Sequence, residues 1–452
     1  MKKIVFLMPI FQTGGIERVL LNIVKALQYN YKIEIIIDNI PVKCQIYDEL
    51  KKLKVNITIL HDNGIPPKPK SFLKRKIWRF KYKSKLNNKN SNFTDKVLNI
   101  CKNAAVIIDF FSSNMHHVIT KINLDIPRIV WFHCSLEVAK EAGYLDRLAD
   151  YDKVIGLTEV FCKELKSLYP YICIEHINNP IDIENIISQK EDKLPDILEG
   201  KNYFVSVARL SIDKDIDTLI KAYKMYVDKT NSSNLLCLVG RGNREDKIRE
   251  LVKSLKLEEK VIFVGEQANP YPFMKHAKAC ILSSKSEASP CVLIESMICQ
   301  TMPVCADCPT GPKELLNNGK RGFLFPVGDT KSLAEIMEKI DDRNYNIDEY
   351  AKRWNDYINQ LSLETFKNTF YDKIINTNIV HTCFDIQTNY PPEIFIKLLG
   401  FIPLLKYVKK ERSSKLYLFK FIPFIKIKRK QEKFKLYLFN FIPFIKIKTK
   451  YR

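Results

Sequence analysis

The sequence predicts an α/β protein made of two doubly wound domains facing a cleft, followed by a basic, repeated C-terminal tail. Three observations predict it. Short apolar runs alternate with segments of helical period in two successive series. A polar, acidic stretch from Glu184 to Gly200 separates the two series. From residue 391 onward the composition changes and a unit of twenty residues repeats.

The first series of strand-like runs covers 4–8, 33–37, 105–108, 129–132 and 154–156. The opening MKKIVFLMPIFQTGG has an apolar stretch too short for a secretory leader, and no small-residue cleavage site follows it. Gly14-Gly15 then opens a helical pattern, so 4–8 reads as the first buried strand. The second series covers 203–207, 235–239, 261–264, 279–282 and 302–305. Strands that alternate with helices imply parallel sheets covered on both faces. Ligands of such sheets bind at the carboxyl ends of the strands, here in a cleft between the domains. The expected organisation is a first domain over 1–185 and a second over 200–345. Helices over 346–385, carrying Trp354 and Phe366, pack back on the first domain.

The net charge of +22 is concentrated in two places. Residues 391–452 hold 17 Lys or Arg against three acids, and residues 66–90 hold ten with no acid, which leaves the remainder close to neutral. A neutral body with two basic patches suggests a partner surface. The tail units GFIPLLKYVKK, KFIPFIKIKRK and NFIPFIKIKTK begin at Gly400, Lys420 and Asn440. Aromatic and aliphatic groups punctuated by lysine fit an anionic membrane surface, with the cations reaching the headgroups. The patch 68–85, KPKSFLKRKIWRFKYKSK, reads in the same way. Ile-Pro-Phe-Ile cores suit lipid better than base stacking, so no nucleic acid is expected. No run reaches the roughly twenty apolar residues of a membrane span, which makes the expected attachment peripheral. Among the twelve cysteines only Cys305 and Cys308 form a CxxC, and without a second pair at ligand spacing a zinc site is not expected.

Two stretches carry chemistry. In VSVARLSIDK (205–214) a strand ends and Arg209 and Lys214 follow, a guanidinium and an ammonium placed to meet a diphosphate. In SEASPCVLIES (286–296), Ser289-Pro290 reads as a helix start with serine as the cap and proline at the first helical position. The amides of Pro290–Val292, in practice those of Cys291 and Val292, then open an anion site. Glu287 stands in the loop before the helix and Glu295 inside it, with carboxylates suited to sugar and ribose hydroxyls. Glu250/Glu258 and Glu258/Glu266 share the spacing without that context. The doublet Asp215-Ile216-Asp217 sits at a helix start, where acids are favoured anyway, so no metal dependence is expected.

These blocks, with GGIERVL (14–20), WFH (131–133), LVGRGN (238–243), FVGEQANPYPFM (263–274) and DCPTGPKELLNNGKRGFLFPVGD (307–329), resemble the retaining, nucleotide-sugar-dependent GT-B glycosyltransferases of family 4 across most of 1–375. The resemblance implies two Rossmann-like domains, the first on the acceptor side and the second binding the donor. It assigns Glu287 to the donor sugar, Glu295 to the ribose hydroxyls, and Arg209 and Lys214 to the diphosphate. It assigns Gly14 and Gly15 to close backbone approach and His133 to the donor-sugar end of the cleft. The family usually has glycine after the first glutamate, where this chain has Ala288. The implied activity is transfer from a nucleotide sugar, a UDP-sugar above all, to a lipid-linked or oligosaccharide acceptor in surface-polysaccharide assembly, on the cytoplasmic membrane face and without a cofactor. The competing expectations are a non-catalytic module binding membrane or nucleic acid, and a sugar-nucleotide epimerase of the same fold.

Overall fold

The computed structural model describes residues 1–11, 14–39, 45–60, 95–120, 122 and 124–377, together with five strands between 405 and 448. The basic patch 68–85 and residues 391–404 lie outside the described residues. Residues Met1–His381 form one compact unit and Thr382–Arg452 another.

The first unit contains two parallel sheets. The first comprises β1 (Lys3–Met8), β2 (Lys32–Ile37), β3 (Val55–Ile59), β4 (Ala104–Asp109), β5 (Arg128–Trp131), β6 (Lys153–Gly156) and β7 (Ile174–His176), in the order β3-β2-β1-β4-β5-β6-β7. The second comprises β8 (Tyr203–Val207), β9 (Leu235–Val239), β10 (Val261–Gly265), β11 (Ala279–Leu282), β12 (Met302–Ala306) and β13 (Phe323–Phe325), in the order β10-β9-β8-β11-β12-β13. Every pairing in both sheets is parallel, as the β1–β2 and β8–β9 registers illustrate. Continuous apolar runs form them because helices cover both faces, and Ile4–Met8 are fully buried. The order reverses at β1/β4 and at β8/β11. These are the points where loops leave in opposite directions and open a crevice at the carboxyl ends. The ten expected strands are all present, within a residue or two at their ends. β3, β7 and β13 were not anticipated.

Helix α1 (Gly15–Leu27) buries Leu20, Ile23, Val24 and Leu27 on the first sheet, where Phe6, Phe110 and Trp131 fill the centre. The expected block 346–385 divides. In α7 (Ile347–Asn359), Trp354 enters the core of the second domain and its Nε1 donates to the Arg321 carbonyl at 2.7 Å. In α8 (Leu363–Phe370), Phe366 and Phe370 enter the core of the first. Each such side chain contributes roughly 2–3 kcal/mol when fully buried, so the chain is held in both cores. The two crossings run side by side, with the Ile181 amide donating to the Leu361 carbonyl at 2.8 Å.

The tail unit is an antiparallel meander of β14 (Leu405–Lys410), β15 (Ser413–Leu418), β16 (Ile422–Lys430), β17 (Lys433–Leu438) and β18 (Ile442–Lys448). Its register sets Lys428 opposite Lys435 and Lys435 opposite Lys446, while the neighbouring row joins Ile427, Leu436 and Ile445. The pairing shifts beside Pro423 and Pro443, where no amide is available to the ladder. No helix among the described residues is long and apolar enough to cross a membrane.

Candidate functional site

The loops after β8 and β11 meet at the crevice of the second domain and are tied to each other. The Lys285 amide donates to the Asp213 carbonyl at 2.8 Å and the Ser283 hydroxyl to the Lys214 carbonyl at 2.9 Å. Lys214 Nζ then reaches Glu287 Oε1 at 2.7 Å, and Ser284 Oγ donates to the same oxygen at 2.6 Å. Both charged side chains are largely shielded, at 15 % and 12 % exposed. Charge-assisted bonds in such surroundings fix geometry, and removing one partner of a buried pair costs about 3–5 kcal/mol. Asp213 joins the two cations, lying 3.6 Å from Arg209 and 3.7 Å from Lys214. Arg209 is mostly exposed, a guanidinium facing the opening. Gly240 (φ +136) lets the loop after β9 lie against this segment, since a Cβ there would stand 2.0 Å from the Ala208 carbonyl oxygen.

Helix α5 (Cys291–Ile298) follows at once. It begins one residue later than expected. Pro290 occupies the cap with extended backbone (ψ 102°), and no side chain caps the helix, so Ser289 does not serve as the cap. Pro290 cannot take the first helical position here because its ψ turns the chain out of the helix. Cys291 and Val292 open the helix, as the anion-site reading requires. Ala288 is outside the left-handed region, so the methyl group replaces glycine without backbone strain. It packs with Cys291 against the core of the first domain. The tight position lies opposite. Gly311, at the start of α6 (Gly311–Leu315), sits where a Cβ would be 2.0 Å from the Ala288 carbonyl oxygen. Glu295 lies one turn into α5; burial raises its pKa to about 7, and the Arg18 guanidinium pulls the other way.

The first domain supplies the facing wall. Gly14 caps α1 in extended conformation, and Gly15, its first residue, meets open space. His133 follows β5, with its ring 4.4 Å from that of Phe110. Its Nε2 is buried with no hydrogen bond to any described residue, and desolvation lowers its pKa to about 3, so the ring is neutral at physiological pH. The walls touch where Ser135 Oγ and Ser286 Oγ lie 3.3 Å apart.

Several residues of the cleft were not anticipated. A cavity of about 360 Å³ is lined by Arg18, Gln45 and Ile46 of the first domain and by Arg241, Glu266 and Gln267 of the second. Glu266 belongs to a pair that shares the Glu287/Glu295 spacing without its context. Its place after β10, at a strand's carboxyl end, was the usable signal. Glu314 of α6 crosses between domains and accepts the Glu159 and Val160 amides at 2.9 and 3.1 Å. It thereby adds to the Thr158 cap of α3 (Glu159–Leu168), whose orphan amides favour a carboxylate. The aspartates of the 215–217 doublet are engaged, Asp215 by Thr218 and Lys285, and Asp217 by Arg244, whose Nη2 reaches both carboxylate oxygens. Cys305 and Cys308 are buried free thiols with raised pKa values.

Comparison with known proteins points the same way. Residues 188–360 match the family described as Glycosyl transferases group 1. The chain is 27 % identical over 338 residues to the N-acetylgalactosamine-N,N'-diacetylbacillosaminyl-diphospho-undecaprenol 4-alpha-N-acetylgalactosaminyltransferase of Campylobacter jejuni, covering 73 % of this chain and 87 % of the relative. It is 23 % identical over 226 residues to the lipopolysaccharide 1,6-galactosyltransferase of Escherichia coli, covering 48 % and 60 %. Among solved structures, Anabaena HepE in complex with UDP and glucose superposes with a TM-score of 0.66 at 17 % identity, over 82 % of this chain and 99 % of that one. A Staphylococcus aureus TarM variant with UDP gives 0.65 at 15 %, over 83 % and 100 %. Fold and family match converge on a protein of GT-B architecture whose residues 188–360 match the Glycosyl transferases group 1 family.

Proposed function

We propose that the protein transfers a sugar, with retention, from a UDP-sugar to a hydroxyl of a lipid-linked glycan at the cytoplasmic face of a membrane. The Lys214–Glu287–Ser284 cluster beside Arg209 carries the reading. It holds a fixed carboxylate and two cations at the mouth of α5, where a diphosphate and the sugar attached to it fit together. Glu287 receives the sugar hydroxyls, and Glu295 in its ionised form receives those of the ribose. Neutral His133 faces the sugar from the other domain and exchanges hydrogen bonds without charge. As the bond from the anomeric carbon to the diphosphate breaks, negative charge grows on the leaving oxygen. Arg209, Lys214 and the amides at the start of α5 meet that charge, each such donor accounting for roughly 10²–10³ in rate. The departing phosphate accepts the acceptor's proton. The reaction needs no added divalent metal, and chelator is expected to leave its rate unchanged.

The names of the relatives support the acceptor class, since one acts on a diphospho-undecaprenol-linked glycan and the other on lipopolysaccharide. UDP in the two similar structures supports the donor. The lysine-punctuated repeats of the tail support attachment to an anionic surface, where each lysine contributes about 1 kcal/mol. The test is transfer from a panel of UDP-sugars to an undecaprenyl-diphosphate-linked glycan, with the product's anomeric configuration read by NMR. Arg209→Ala and Glu295→Ala abolish transfer if the reading holds; unchanged rates in both overturn it. A module without catalysis gives no turnover in any combination, and an epimerase converts the UDP-sugar without an acceptor.

A further inference from the structure

We propose that Ser112 is a positioning residue for His133, held in register by the buried carboxylate of Asp109. The proposal rests on the reading that His133 meets the donor sugar.

The loop after β4 is built in an unusual way. Ser112 and Ser113 are consecutive residues with φ of +51° and +62°, a region that residues with a Cβ seldom enter even singly. Both are buried, at 4 % and 0 % exposed. Neither is glycine, so something other than backbone freedom accounts for the serines.

Asp109, the last residue of β4, organises the loop. Its carboxylate is fully buried and accepts three hydrogen bonds, from the Phe111 amide at 3.3 Å, the Met115 amide at 3.0 Å and the Tyr151 hydroxyl at 2.7 Å. It so grips both ends of the turn. Arg147 Nη1 holds the Ser113 carbonyl at 2.8 Å, and the Ser112 amide docks on the Trp131 carbonyl at 3.1 Å. Held there, Ser112 Oγ accepts the His133 amide at 2.9 Å and the Cys134 thiol at 3.7 Å. The loop opens with Phe110, the residue after β4, against whose ring the imidazole lies. The backbone position and the ring position of His133 are thus both set by 109–115. Nε2 of the imidazole is buried without a hydrogen bond to any described residue, and the ring lies against Phe110 and Trp131.

The test separates position from stability. Ser112→Gly relieves the left-handed backbone while removing the CH2OH group whose Oγ accepts the His133 amide, so a residue kept for folding tolerates it. The full-length enzyme is assayed with whichever of UDP-glucose, UDP-galactose, UDP-N-acetylglucosamine and UDP-N-acetylgalactosamine it turns over. Ser112→Gly is expected to keep its melting temperature and its Kd for UDP, while kcat falls about tenfold, the scale of one lost hydrogen bond to an oriented group. In the His133→Ala background the same change is expected to cost nothing further. Asp109→Asn gives a similar kcat loss through the same route. Unchanged kcat in Ser112→Gly overturns the proposal, as does a loss that adds in full to that of His133→Ala. If His133→Ala alone leaves kcat intact, the assignment of His133 to the sugar fails with it; if His133→Ala lowers kcat and Ser112→Gly does not, only the positioning role fails.

Discussion

Glu295 is held at a cost to stability, and replacing it exposes that cost. Burial raises its pKa from the ordinary glutamate value of about 4.5 to about 7. The folded state therefore binds the proton more tightly than the unfolded chain between those values. Stability is greatest at the acid end of that window and falls as pH rises through it, by about 1.4 kcal/mol per unit. Above pH 7 the shift implies a destabilising contribution of about 3 kcal/mol from this carboxylate, net of the attraction of Arg18. Glu295→Gln keeps the shape and removes the charge. Urea titrations at pH 8 are expected to show the variant more stable by about 2–3 kcal/mol, and at pH 5 by less than about 1 kcal/mol. Transfer activity is expected to be lost at both. A variant no more stable at pH 8, or equally stabilised at both pH values, refutes the claim that a desolvated carboxylate is kept here for ligand binding.

Other substitutions probe the remaining contacts. Lys214→Met strips Glu287 of its cation, and transfer is expected to fall at least 10²-fold with thermal unfolding shifted down, read by kinetics and calorimetry. Gly311→Ala drives a methyl group into the Ala288 carbonyl and is expected to cost about 1–3 kcal/mol in a denaturant titration. Glu314→Ala deprives the first two amides of α3 of their acceptor from the other domain, with a loss of about 1 kcal/mol and faster hydrogen exchange at Glu159 and Val160. Liposome flotation of the full chain on anionic vesicles is expected to be salt-sensitive, and a chain ending at residue 381 is expected to lose it; retained binding without the tail sets that attachment aside.

How far the sequence carried can be traced residue by residue. Apolar runs such as 4–8 and 203–207 were legible because parallel strands buried on both faces admit nothing else. VNITI of β3 and IEH of β7 were not, because edge strands are short and half exposed and their apolar content is diluted. The tie between Lys214 and Glu287 was implied only as a shared neighbourhood, since 73 residues separate them and loop geometry decides the contact. The cap of α5 was misplaced by a residue because Ser-Pro is compatible with two helix starts, and the ψ of Pro290 chooses between them. Glu314 reads as one acid in PTGPKELL; its role depends on the helix of another domain. Arg18 and Glu266 needed the cavity before they had a purpose. Ser112 and Ser113 carry no sequence signal for left-handed backbone, which glycine or asparagine would have given.

The central claim is that the cleft binds a nucleotide sugar through the loops after β8 and β11. Titration calorimetry with UDP tests it most directly, on the wild type and on Arg209→Ala, Lys214→Met and Glu295→Gln. The wild type is expected to bind UDP, and each variant at least tenfold more weakly. Equal affinity in all four proteins, or no UDP bound by the wild type, contradicts it.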